Sequence, residues 1–297
     1  MSVYRRLFLK KGGYKMIKLL ILLVKQFSKE ILMKVILPLI VISIFFNYNV
    51  GLGAVTTAVY IGYIVYINQI RIYTFIGHIR YAKRDMEGAI KWFRKVYYSG
   101  KANIKTMISY GYLLLKAGKI EEAEKIFNEL LEHKMDNDDK MLTQSNYALV
   151  IWKKGQLDEA IALLESVFED FKTSTLYGSL GYMLIAKGDL DKALEFNLEA
   201  YEYNNTNTII LDNLGQTYYL REEYDKAHET YEKLMEKQAT FTEAYYNYGL
   251  VLIKKEEYEK ALENMQKSLT YPISFVSTVT EQEVQTKIKE LEEKLQS

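Results

Sequence analysis

Six copies of one short pattern run through the C-terminal two-thirds of the chain, in phase with each other. Alanine recurs at Ala89, Ala123, Ala160, Ala193, Ala227 and Ala261, at intervals of 34, 37, 33, 34 and 34 residues. A small residue keeps step 12 positions earlier, at Gly77, Gly111, Ala148, Gly181, Gly215 and Gly249. Four positions after each alanine comes a larger side chain: Phe93, Phe127, Leu164, Asn197, Tyr231 and Met265. A period of this length is the size of one helix-turn-helix unit, which cannot bury its apolar stripe alone and has to stack on neighbours. The small column marks where two helices cross too closely for a longer side chain. Gly118-Lys119, Gly155-Gln156 and Gly188-Asp189 mark turns between helices, and the 120–132 stretch has clear amphipathic spacing.

These columns resemble the tetratricopeptide repeat family, which places a small residue at its eighth position, alanine at its twentieth and an aromatic at its twenty-fourth. The resemblance implies an all-α, right-handed superhelical solenoid. Six TPR-like repeats are expected at 70–103, 104–140, 141–173, 174–207, 208–241 and 242–279. Asn197 departs from the pattern, and the 37-residue interval places three extra residues near 132–140. Val284, Ile288, Leu291 and Leu295 lie at helical spacing, so a capping helix is expected over 280–297.

Ahead of the repeats lies a different kind of sequence. No charged residue occurs from Val35 to Ile70. As one straight helix these 36 residues would reach roughly 54 Å, against a hydrocarbon core about 30 Å thick. Asn47-Tyr48-Asn49, with Gly51 and Gly53 close behind, breaks the run in its middle. A transmembrane helical hairpin is therefore expected over 31–69, with spans near 31–46 and 50–67. One span with an interfacial piece, or a buried helical pair of a soluble protein, are the alternatives. Residues 1–34 hold nine basic side chains against one acidic, Glu30, and Arg71, Arg80, Lys83 and Arg84 come after the run. Basic flanks on both sides predict an integral membrane protein, expected in a bacterial cell membrane, with the N-terminus and the solenoid in the cytoplasm. The basic segment 1–30 is expected to carry an interfacial amphipathic helix at 16–24, drawn to acidic lipid.

The family resemblance also implies where a ligand would lie, because the first helix of each repeat lines the concave face. Carried onto this chain, the ninth and twelfth positions are His78/Tyr81, Tyr112/Leu115, Leu149/Trp152, Tyr182/Ile185, Gln216/Tyr219 and Leu250/Ile253. The candidate groove comprises Arg71, His78, Tyr81, Lys105, Tyr112, Lys116, Trp152, Lys153, Tyr182, Tyr219 and Tyr246, with Asp212 and Glu243 adding negative charge. Aromatic side chains offer large rigid contact area at low entropic cost, which suits a protein or peptide partner. His78 and Tyr112 stand where the family's carboxylate clamp has asparagine, so a C-terminal carboxylate ligand is not expected.

Signals for catalysis or cofactors are absent. The chain has no cysteine, and its three histidines fall in different repeats. The stretch His133-Lys134-Met135-Asp136-Asn137-Asp138-Asp139 lacks the glycine and terminal glutamate of a calcium loop. Gly51-Leu52-Gly53 comes after no strand and precedes no lysine, so it reads as close helix packing and not as a phosphate loop. No enzyme, metal or cofactor is expected. The sequence supports a membrane-anchored scaffold or adaptor. The alternatives are a structural subunit of a membrane assembly or secretion complex with the hairpin as interface, and a peptide-responsive regulator. Nucleic acid is not expected, since the N-terminal lysines are interleaved with aliphatic runs.

Overall fold

A computed structural model describes residues 31–296, and the interfacial helix expected within 1–30 lies outside them. The chain divides into two compact units between Tyr73 and Thr74.

In the first unit, helix α1 spans Leu32–Tyr48. Its opening turns are π-helical (Leu32–Ile36) and the rest, Leu37–Tyr48, is α-helical with Pro38 in its first turn. Because the π turns run directly into it, Pro38 leaves one helical hydrogen bond unmade at the junction. Asn49 is extended and breaks the helix, and its side-chain oxygen accepts the Leu52 N–H at 3.2 Å. Helix α2, Val50–Ala82, then runs 33 residues. Two observations show that α2 folds back along α1. The Tyr60 hydroxyl donates to the Lys34 carbonyl at 2.8 Å, near the far end of α1. A Cβ on Gly53 would lie 2.3 Å from the Phe46 ring, so the two helices touch at the turn.

Helix α2 is long and apolar enough to cross a membrane, with only 6% of its most apolar window buried. Among the described residues it is the one helix that meets both criteria, α1 being apolar but shorter. One helix also crosses the expected boundary between 69 and 70 without interruption, so the first helix of the first repeat is the continuation of the apolar one.

The second unit contains the end of α2 and helices α3 (Met86–Tyr98), α4 (Ile104–Lys116), α5 (Ile120–Glu132), α6 (Asn137–Lys153) and α7 (Leu157–Asp170). It continues with α8 (Ser174–Lys187), α9 (Leu190–Tyr203), α10 (Thr208–Leu220), α11 (Tyr224–Glu236), α12 (Thr242–Lys254), α13 (Tyr258–Ser268) and α14 (Glu281–Gln296). From α4 to α13 the helices pair in sequence as antiparallel hairpins that stack on one another.

The reason for the small column is visible at each crossing. A Cβ on Gly111 would sit 2.8 Å from the Phe127 ring, and one on Gly215 would sit 2.6 Å from the Tyr231 ring. The large residue is thus seated on the backbone of the small one, and the recurring alanines are fully buried beside it. The turn inside each hairpin holds a left-handed residue in matching register: Arg84, Gly118, Gly155, Gly188, Glu222 and Glu256. Glycine takes that conformation without strain, and the other three accept it at some cost. The acidic-histidine stretch is a helix start. Asp136 caps α6 by accepting the Asp139 N–H at 2.8 Å, so the extra residues lengthen that helix at its N-terminus.

Candidate partner-binding groove

The first helices of the repeats present part of the expected aromatic set to a shared concavity. Tyr112 and Lys116 on α4, Leu149 and Trp152 on α6, and Tyr182 on α8 line one cavity of about 460 Å³, with Asp212 and Glu243 across from them. Tyr182 also borders a smaller cavity of about 150 Å³, shared with Gln216, Tyr219, Tyr246 and Leu250. Nearly all these side chains are half-buried, which leaves a face of each available.

Two aromatic-lysine groups organise the wall. The Lys116 ammonium donates to the Tyr81 hydroxyl at 3.0 Å and stands 5.8 Å from the Tyr112 ring centre. Burial pulls this ammonium down. The Tyr81 hydrogen bond, with Tyr112 and Glu243 nearby, carries the balance above the ordinary lysine value. The Lys153 ammonium lies 4.0 Å from the Trp152 ring centre, and Trp152 meets Tyr182 edge-on at 5.3 Å. Burial lowers the Lys153 pKa, and Glu243 opposes it. Burial raises the Tyr112 and Tyr182 phenols, the latter against a hydrogen bond to Thr278. Tyr112 and Tyr182 are thus neutral donors and acceptors near neutral pH.

One residue that lines the larger cavity is a buried acid. Asp212 accepts the Tyr231 hydroxyl at 3.0 Å and the Asn247 amide at 3.1 Å. Burial raises its pKa to about 7, with Glu243 adding to the effect against the two hydrogen bonds.

Other expected members fall elsewhere. Arg71 is exposed within the first unit. Lys105 is exposed and outside both cavities. His78 is exposed and packs edge-on against Phe93 at 5.1 Å. Leu115 and Ile185 are corrected outright. At 0% and 5% exposure they are members of the hydrophobic core clusters, where burying an aliphatic side chain is favourable.

The groove also holds something the columns did not indicate. The segment between α13 and α14 returns across the concave face: the Phe275 N–H donates to the Lys116 carbonyl at 3.1 Å, and Thr278 and Val279 border the smaller cavity. Ser274, Val276, Ser277 and Thr278 border the larger one. A sequence signal for it exists. Residues 271–280 are uncharged between two charge-rich helices, an odd composition for a linker in water.

Comparison with known proteins agrees with this architecture. Sequence models described as tetratricopeptide repeat match residues 70–99, 148–207, 210–241 and 242–272, together about half of the chain. A tetratricopeptide repeat protein from Parabacteroides merdae has a similar structure with a TM-score of 0.63 at 13% identity, over 84% of this chain and 97% of that one. A thermophilic TPR protein of Thermus thermophilus matches with a TM-score of 0.53 at 17% identity, over 64% of this chain and 98% of that one. The Cut9–Hcn1 hetero-tetramer of the APC/C includes a chain that matches with a TM-score of 0.54 at 16% identity, over 76% of this chain and 40% of that one. No curated protein sequence matches significantly. With six in-phase copies of the pattern, seated small-to-large crossings and these matches, the chain is a tetratricopeptide repeat protein.

Proposed function

We propose that this protein is a membrane-anchored scaffold whose TPR solenoid holds a protein or peptide partner at the cytoplasmic face of the membrane. The observation that carries the binding half is the concave wall of Tyr112, Lys116, Trp152 and Tyr182 bordering a cavity of about 460 Å³, with the Lys153 ammonium stacked on the Trp152 ring. The anchoring half rests on the exposed, apolar α2 and on the basic residues flanking the charge-free run. Fixing a binding groove to a membrane raises the effective concentration of partners there.

The test is affinity capture from detergent-solubilised native membranes, read by mass spectrometry. The wild-type chain is compared with a Tyr112→Ala/Trp152→Ala/Tyr182→Ala variant of equal helicity and equal carbonate-resistant membrane retention. Partners lost by about tenfold or more from the variant support groove binding. Partners held equally by both would sink it.

A second reading has one observation of its own. Ala54, Ala58 and Gly62 are exposed at four-residue spacing along α2, and a Cβ on Gly62 would meet nothing within 4 Å. Such a stripe suits close packing against a helix of another membrane protein, the structural-subunit role. Capture that survives the groove substitutions and fails on Ala58→Phe/Gly62→Phe would favour it.

A further inference from the structure

The segment 271–280 makes specific use of the two charges that face each other across the groove. Its chain turns tightly, the Ser277 N–H donating to the Ser274 carbonyl at 2.9 Å and the Ser274 N–H to the Ser277 hydroxyl at 3.2 Å. Phe275 and Val276 form the tip. Beyond the tip, Lys153 donates to the Ser277 carbonyl at 3.2 Å, while a Glu243 carboxylate oxygen accepts the Thr278 N–H at 3.0 Å. That carbonyl and that N–H belong to one peptide group. In a trans peptide they point in opposite directions, so a cation from the third repeat and an anion from the sixth grip a single peptide bond from its two edges.

This arrangement reads main chain. Neither charge recognises a side chain, and the segment offers none with a charge. Its apolar residues do the rest. Val276 packs on the core of the early repeats, Val279 is 5% exposed, and the Phe275 ring lies 5.5 Å from the Lys153 ammonium. The turn at 273–278 is also separable from the last helix. Helix α14 is capped by its own Thr280–Glu283 pair and buries Val284 and Leu291, so it does not depend on the turn for its place.

We infer that the Lys153–Glu243 clamp is the groove's recognition device, and that residues 271–280 are its resident competitor. The partner is an uncharged, turn-forming peptide of aliphatic and hydroxyl side chains, and it binds by taking the segment's place. The inference rests on the groove being the binding surface, and it names the class of peptide that surface accepts. The tethered segment competes at the high effective concentration of an intramolecular ligand, so a peptide of matching chemistry binds poorly until the segment leaves.

The test uses the full chain in detergent and a fluorescent, end-blocked peptide of residues 271–280, monitored by anisotropy. Two variants empty the groove: one with 273–278 replaced by Gly/Ser, the other Val276→Asp, which puts a charge against the apolar wall. Both are taken forward at wild-type helicity, and either one folding suffices. Each is expected to bind the peptide about tenfold or more tightly than wild type, and Lys153→Met/Glu243→Gln in the same background is expected to cancel the gain. An emptied variant that binds no better than wild type overturns the inference, as does a gain unaffected by removing the clamp. If the peptide fails while native partners still depend on Tyr112, Trp152 and Tyr182, the inference falls and the groove reading stands.

Discussion

Asp212 shows how much one residue of this solenoid gives up to remain polar. It is 6% exposed and held by two neutral donors, Tyr231 and Asn247, with Glu243 the nearby charge. Because its folded pKa is about 7 against 3.8 for an ordinary aspartate, the folded state binds the extra proton between those values. Stability from this group is therefore complete below pH ~4 and is lost as pH rises through ~7. Asp212→Asn keeps an oxygen for both donors and removes the charge. Thermal melts are expected to show up to about 4 kcal/mol of pH-dependent loss between pH 4 and 8 in wild type, absent from the variant. Parallel pH profiles would show that the carboxylate is solvated after all. Asn197 is a second polar choice, in the column that Phe93 and Phe127 occupy in earlier repeats. It is fully buried and donates to the Thr217 hydroxyl at 3.1 Å, and Gly181 is so close that a Cβ there would meet its oxygen at 2.1 Å. Its side-chain oxygen has no hydrogen-bond partner among the described residues, a cost of about 1–3 kcal/mol that the apolar members of the column avoid.

At the scale of elements, the helices were legible because steric columns repeat. Gly111 against Phe127 and Gly215 against Tyr231 are the same contact three repeats apart, and a periodic constraint leaves a periodic trace. The turns were half legible. Gly118, Gly155 and Gly188 announce a left-handed residue, whereas Arg84, Glu222 and Glu256 adopt the same conformation with no sequence sign. The extra residues before Lys140 were located, but their fate as an extension of α6 depends on Asp136 capping one turn earlier. Least legible was the 271–280 segment, because its partners are Lys116, Lys153 and Glu243, far away in sequence, and no period links them. Helix α14 arises from local signals. Thr280 and Glu283 cap each other reciprocally, the Thr280 N–H reaching the carboxylate at 2.6 Å and the Glu283 N–H the hydroxyl at 3.2 Å. Thr280→Val is expected to cost about 1 kcal/mol and to speed amide exchange through the first turn of α14. Unchanged exchange there would mean that packing alone holds the helix.

The whole molecule combines a unit of two apolar helices with a repeat array whose concave face is lined with tyrosine, tryptophan and lysine. Hydropathy made the long apolar helix readable from the sequence, and the period made the repeats readable. What the repeat pattern did not disclose is that the groove is crossed by the chain itself. The chain has no cysteine, so a single engineered pair can fix that crossing without side reactions. A Cβ built on Gly118 would lie 3.8 Å from the Phe275 Cβ, the separation a disulfide needs. Cysteine at Gly118 must accept φ +74°, at a strain of about 1 kcal/mol. The decisive measurement is quantitative partner capture by Gly118→Cys/Phe275→Cys, oxidised and then reduced. With the segment locked in the groove, capture is expected to drop about tenfold or more, and dithiothreitol is expected to restore it. Equal capture by the locked and reduced forms would contradict the account, because the partner would then bind without taking the segment's place.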